Sequence, residues 1–248
     1  MEKPYLYIAH PGHELLLTQW ISDNRPEVNI LTDGSGATGV SRLESSIRVL
    51  KSLGVDKGQI FGRITDAQIY AHIINRNMDV FLSIVNEMLS IWQHNRPSCI
   101  VVDGFEGYNP VHDLMNLLVS CACIRYKKQT AHNIPLYSFK LVNKFNPDAG
   151  SIHIKLTDEQ LKKKQNIVFS YPEMRKEVDA AIARLGEKDC FTECLDVIDY
   201  DRSDEWREAQ LPFYELYGEK KVQQGIYENV LRRKDLEEIW KAISARDK

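Results

Sequence analysis

The chain predicts an α/β fold: a Rossmann-like, mostly parallel sheet with helices on both faces. Short apolar runs of strand length alternate with segments of helical period, and each of the first strands ends in a turn that leads into a helix. Parallel neighbours need crossover connections, and helices of this kind supply them. Residues 5–9 are the first apolar run, closed by His10-Pro11-Gly12, and 14–21 reads as the helix that follows. Residues 28–32 are the second strand, ended by the glycine-rich stretch 33–39. Ser41-Arg42-Leu43-Glu44 has capping-box spacing, and Ile47, Leu50 and Leu53 continue a helical stripe until Gly54 stops it. Residues 59–61 read as a third strand, 69–92 contains a long helix, and 99–102 is a fourth strand that runs into Asp103-Gly104. Asn109-Pro110 opens a helix through Met115, Leu118 and Ile124.

Residues 136–139 and 151–156 read as later strands, separated by a polar turn at 143–150. Thr157-Asp158-Glu159-Gln160 is a second capping box, opening a helix to Phe169 whose Lys162-Lys163-Lys164 run reads as a solvated face. Further helices are expected beyond Glu173. One domain is expected over 1–248, with a core at about 1–156 and a C-terminal helical and loop elaboration at about 157–248. Within that elaboration, 212–222 is dense in aromatic and charged residues and reads either as a loop that stacks on a sugar ring or as a packing or subunit surface. Trp20, Trp92, Trp206 and Trp240 read as packing residues.

Hydrophobic residues are 43% and charged residues 27% of 248, an ordinary globular balance that excludes a mainly disordered chain. A net charge of -3 gives no global field to draw nucleic acid or an anionic membrane. No apolar run has the length of a membrane span, and Met1-Glu2-Lys3-Pro4 does not begin like a signal peptide. The expectation is a cytoplasmic protein, able to form a homo-oligomer, whose partner is a small molecule. The five cysteines, at 99, 121, 123, 190 and 194, lack CxxC spacing and read as buried thiols.

Ligands of such sheets sit beyond the carboxyl ends of the strands, which singles out the loops 10–14, 33–39 and 103–112. His10 and His13 lie on the first and His112 at the end of the third. Three imidazoles converging there would suit zinc with one open position; on spacing alone they are equally three unrelated surface histidines, because His-x-x-His is short and unspecific. Gly34-Ser35-Gly36-Ala37-Thr38-Gly39 matches G-x-G-x-x-G, but it follows the second strand and not the first. It reads as a flexible loop beside the site whose amides could receive a phosphate, as in a nucleotide-linked sugar.

Ala9-His10-Pro11-Gly12-His13-Glu14 resembles the Ala-His-Pro-Asp-Asp-Glu signature of the PIG-L/LmbE-like metal-dependent de-N-acylases. In the same order, Leu31-Thr32-Asp33-Gly34 resembles that family's second-strand loop, Arg42 with Leu53-Gly54 its Arg-containing helix, Asp66 an aspartate after its third strand, and Asn109-Pro110-Val111-His112 its His-Pro-Asp-His motif. The resemblance covers residues 5–125, about half the chain. It implies an LmbE-like fold, a metal held by His10, His13 and His112, and a substrate contacted by Asp33, Gly34, Arg42 and Asp66. His13 replaces an aspartate, so the implied ligand set is three neutral imidazoles.

The departures bear on catalysis. The family's general-base aspartate is Gly12 here, its oxyanion-stabilising histidine is Asn109, and the aspartate before the ligand histidine is Val111. A replacement base would come from Glu14, Asp33, Asp103, Glu106 or Asp113, with Asp103 or Glu106 ahead, Glu14 orienting a metal-bound histidine and Asn109 donating to an oxyanion. The implied activity is zinc-dependent hydrolysis of an N-acyl amino sugar or related carbohydrate. The alternatives are metal-assisted acyl or formyl transfer in cell-surface polysaccharide (lipopolysaccharide) biosynthesis, and a non-catalytic sugar-binding relative. If only the base is missing, Gly12→Asp is expected to raise hydrolysis.

Overall fold

The computed structural model describes residues 2–142, 151–199 and 211–245. Strand β1 (Lys3–Ile8) alternates its side chains between two cores, Tyr5 and Tyr7 to one side and Leu6 and Ile8 to the other, all with no exposed surface. A strand buried on both faces is what helices on both sides of a parallel sheet require. β2 (Glu27–Thr32), β3 (Lys57–Ile64), β4 (Pro97–Asp103) and β5 (Leu136–Phe139) complete the parallel part, in spatial order β3-β2-β1-β4-β5. β6 (Ile152–Ile154) and β7 (Glu193–Val197) extend it as antiparallel strands, β7 on β5 and β6 on β7. The expected α/β architecture is therefore the one found, with seven strands.

One face carries α3 (Asp66–Ile74), α4 (Met78–His94), α5 (Pro110–Thr130) and α10 (Arg233–Ala245), whose apolar residues share a core with Tyr5, Tyr7, Ile100 and Val102. The other carries α1 (Thr18–Asn24), α2 (Leu43–Leu53), α6 (Asp158–Phe169) and α7 (Arg175–Leu185) against Leu6, Ile8, Val28 and Val101. α8 (Glu187–Cys190) and α9 (Phe213–Gln223) complete the described helices. Residues beyond 157 thus supply a strand to the sheet and a helix to its core.

Several local expectations are corrected. Residues 13–17 form a 3-10 turn before α1, because Gly12 at φ +106° turns the chain sharply after the first strand. The capping box at Ser41 does not form: Arg42 is the residue preceding α2, and the Ser41 hydroxyl accepts from Leu43 N and donates to the carbonyl of Asp33. Residues 69–92 hold the end of one helix and most of another, broken at Arg76, where φ is +50°. β7 falls where only helices were expected. Lys164 is buried, not solvated. The capping box at Thr157 forms as read, and Asn109 caps α5 through its side chain. The polar turn 143–150 and Trp206 lie outside the described residues. Cys121 and Cys123 are buried, Cys99, Cys190 and Cys194 are partly exposed, and none of the five forms a disulfide among the described residues.

Candidate functional site

β1 leads towards β2 on one side and β4 begins the run towards β5 on the other, so the carboxyl ends of β1 and β4 border the crevice where the winding reverses. The loop after β1 carries His10 and His13, β4 ends on Asp103, and His112 stands in the first turn of α5, started by Asn109 and Pro110. The three imidazoles converge there. Their ring centroids are 5.4 Å (His10 to His13), 5.2 Å (His10 to His112) and 4.5 Å (His13 to His112) apart, and the rings meet edge to face. No group of three His, Cys, Asp or Glu among the described residues is already drawn together tightly enough to hold an ion; what the fold provides is a cluster of rings.

Two carboxylates fix how those rings face. His10 Nδ1 lies 3.0 Å from Asp66 Oδ1 and 2.8 Å from Thr32 Oγ1. The Thr32 hydroxyl donates to the carbonyl of Ala9, and an ionised carboxylate only accepts, so the proton is on His10 Nδ1 and the Nε2 lone pair is left over. That Nε2 is buried without a hydrogen-bond partner. His13 Nδ1 lies 3.0 Å from both oxygens of Asp103, whose Oδ2 also accepts from Ala9 N at 2.7 Å. Burial would raise Asp66, but the hydrogen bonds it accepts from His10 and from the amide of Gly36 prevail and hold it well below the usual carboxylate range. Asp103 is pushed up to about 7 by burial. His13 and His112 are held well below the ordinary imidazole value, first by burial and then by neighbouring positive groups, so both are neutral near pH 7.

The other candidate residues take different places. Glu14 is fully buried and touches neither ring system: it accepts from Gly12 N and from the hydroxyl of Ser46, which also meets Tyr171. The carboxylates that do meet histidines are Asp66 and Asp103. Glu106 Oε2 accepts from the amides of Leu141 and Val142. Asp113 accepts from the amides of Glu106 and Gly107 and is raised to about 7 by burial. Asn109 Oδ1 accepts from Val111 N and, at 3.4 Å, from Tyr70 OH, which leaves the amide nitrogen as its donor end. Asp33 Oδ1 accepts from Ser35 and from Asp66 N. Arg42 donates to the carbonyl of Gly34 and to Met174 Sδ.

The glycine-rich loop spends its amides on the chain itself: Gly34 N on Thr32, Ser35 N on Asp33, Gly36 N on Asp66 and Gly39 N on Ser35. It supports Asp66 through the amide of Gly36. Sequence reasoning missed Met174. A Cβ at Gly12 would stand 2.8 Å from Met174 Sδ in a backbone conformation that favours glycine, so the place of an aspartate side chain at position 12 is filled from the other end of the chain. No local signal announces that contact.

No protein-family model and no curated protein sequence matches the chain. Solved structures do. The zinc-inhibited form of the teicoplanin deacetylase Orf2 superposes with a TM-score of 0.53 at 14% identity, over 79% of this chain and 99% of that one. The A40926 pseudoaglycone deacetylase Dbv21 gives 0.52 at 17%, over 80% and 98%. The conserved protein TT1542 from Thermus thermophilus gives 0.54 at 15%, over 79% and 94%. The fold is that of these proteins. The sheet and its surrounding helices are thereby the architecture that the motifs implied, and at such identity the likeness is one of fold.

Proposed function

We propose that the chain is a zinc-dependent amide hydrolase, a de-N-acylase acting on an N-acyl amino sugar or related carbohydrate, with His10, His13 and His112 as the metal ligands. The observation that carries this reading is the ring cluster with its carboxylate supports. Around a tetrahedral ion bonded to three imidazole nitrogens at about 2.1 Å, ring centroids stand about 5 Å apart, and the observed spacings are 4.5, 5.2 and 5.4 Å. A buried, unpartnered Nε2 on His10 and a carboxylate behind both His10 and His13 are the second-partner pattern of metal-binding histidines. Three neutral imidazoles suit zinc.

A divalent ion held there would act as a Lewis acid towards an acyl carbonyl. Asp66 and Asp103 hold the rings with Nε2 outward, and Asn109, its carbonyl oxygen committed, offers N–H to a developing oxyanion. The test is twofold. Protein purified without added metal should contain about one zinc per chain, and it should release free acid from N-acetyl amino sugars; His112→Ala should lose both. Retained zinc in the His10→Ala/His112→Ala double variant would refute the ligand set.

One observation favours a second reading, metal-assisted acyl or formyl transfer in polysaccharide biosynthesis. Met174 fills the space beside Gly12, where the resemblance places the base that activates water. A transferring site gains from not activating water. Formation of the N-acylated acceptor from an acyl donor and an added amino sugar, with no free acid released, would select this reading over hydrolysis.

A further inference from the structure

Among the described residues, six of the twelve exposed large hydrophobics gather in one place: Tyr108, Phe213, Leu216, Tyr217, Ile226 and Tyr227, each 42–59% exposed. Four of them form a continuous run of rings, and Leu216 and Ile226 neighbour two of those rings in the chain. Tyr108 stacks on Phe213 with centroids 5.0 Å apart, Phe213 on Tyr217 at 5.8 Å, and Tyr217 meets Tyr227 edge-on at 6.4 Å. α9 is turned inside out: Tyr214, Glu215 and Gly218 are buried, while Phe213, Leu216 and Tyr217 at helical spacing face outward. Scattered exposed apolar side chains are ordinary, but a continuous patch of this size marks an interaction surface.

Charge selects the partner. Residues 211–234 carry five Lys and Arg against three Glu, in a chain whose net charge is -3. Two of the three acids, Glu215 and Glu219, share Arg232, and Glu215 also accepts from the amide of Arg233. Lys220 and Lys234 remain exposed, and the ammonium of Lys221 lies 5.1 Å over the Tyr217 ring. An outward stripe mixing aliphatic side chains with amphipathic tyrosines and edged by lysines fits the boundary between lipid headgroups and acyl chains. The aliphatic half of the patch would gain nothing from a sugar ring. No described helix is long and apolar enough to cross a membrane, so this is a contact with a surface and not a span.

We propose that this patch docks the protein on an anionic bilayer surface, with Phe213, Leu216 and Ile226 entering the interface and Lys220 and Lys221 meeting acidic headgroups. Phe213 N donates to the carbonyl of Gly107 at 2.7 Å and Pro212 packs on Gly107, five residues before His112, so docking brings the imidazole cluster to the membrane. This inference goes beyond the proposed activity and stands independently of the metal.

The experiment is co-sedimentation of the full chain with vesicles of phosphatidylcholine alone or with about 30% phosphatidylglycerol. Binding is expected to the anionic vesicles and to weaken as salt rises from about 0.1 M to about 0.5 M. Leu216→Glu and Ile226→Glu, both at exposed positions, should each reduce it at least about tenfold with unchanged circular dichroism, and Lys220→Glu/Lys221→Glu should reduce it on anionic vesicles. Failure of the wild-type chain to sediment with either vesicle overturns the proposal. So does binding undiminished in Leu216→Glu, or a wild-type dimer that this substitution converts to monomer without any vesicle binding.

Discussion

Two regions of the molecule bury charged groups, one beneath a helix on a face of the sheet and one at the carboxyl ends of its strands, and they resolve them in opposite ways. Under α1, the Lys164 ammonium meets Glu193 at 2.9 Å and the carbonyl of Leu16 at 2.7 Å, while Glu193 accepts from the amides of Gln19 and Trp20 and from Thr18. Charges and hydrogen-bonding positions are matched within the chain. In the β1/β4 crevice the carboxylates are satisfied too, but by two imidazoles, His10 and His13, that face His112, and His10 Nε2 ends without a partner. A closed buried network holds a fold; one that supports its outer groups and leaves their inner atoms open is built to hold something else.

The comparison is most severely tested by removing one member of each. Glu193→Ala leaves the Lys164 ammonium buried without its counter-charge, holding only the carbonyl of Leu16, at a cost of about 3–5 kcal/mol in denaturant unfolding, while zinc content per folded chain stays unchanged. Asp103→Asn should do the reverse: metal affinity falls about 10–100-fold in competition with a chelator, with a smaller change in stability. If both variants lose metal, or both lose only stability, the distinction between the two regions fails.

Gly12→Asp sits between these cases. The substitution meets Met174 in a left-handed backbone, so it should cost about 1–3 kcal/mol in stability without raising hydrolysis. Gly12→Asp/Met174→Gly, which vacates that space, is the variant in which an added base can act, and acid release measured for both separates crowding from chemistry.

The smallest effect is one of pH. His13 and His112 are depressed in the fold, so their neutral burial stabilises above the unfolded imidazole value of about 6.5 and is lost as pH falls. Asp103 and Asp113, raised to about 7, act oppositely: their contribution is full below the ordinary carboxylate range and is lost as pH rises through 7. In chelator, the melting-temperature deficit of His112→Phe should therefore shrink between pH 7 and pH 5, since the variant no longer has that imidazole to keep neutral. A deficit that grows on acidification would mean His112 is charged in the fold.

Much of the crevice was legible because parallel strands deliver their following loops to one edge. The strand ends at residues 9, 32 and 103 can be found from apolar runs, and the histidines lie just beyond two of them. What was not legible depends on contacts between distant segments. Lys164 reads as one of three solvated lysines, and only the helical step that sends Lys162 and Lys163 outward turns it in, towards a glutamate on a strand that the sequence did not announce. That strand, ECLDV, pairs antiparallel at the sheet edge and lacks the continuous apolar run of a central parallel strand. Ser41 fails as a cap because the loop before it claims its hydroxyl. Asp66 and Asp103 belong to the expected place but do different work there, since letters and spacing do not say which atom a carboxylate faces.

The central claim is that His10, His13 and His112 close around one ion. Anomalous diffraction at the zinc edge, from crystals of chain purified without added metal, tests it directly. A single strong peak within about 2.0–2.1 Å of one nitrogen on each ring is the predicted result. A zinc-saturated crystal whose peak lies elsewhere, or touches fewer than all three rings, would contradict it.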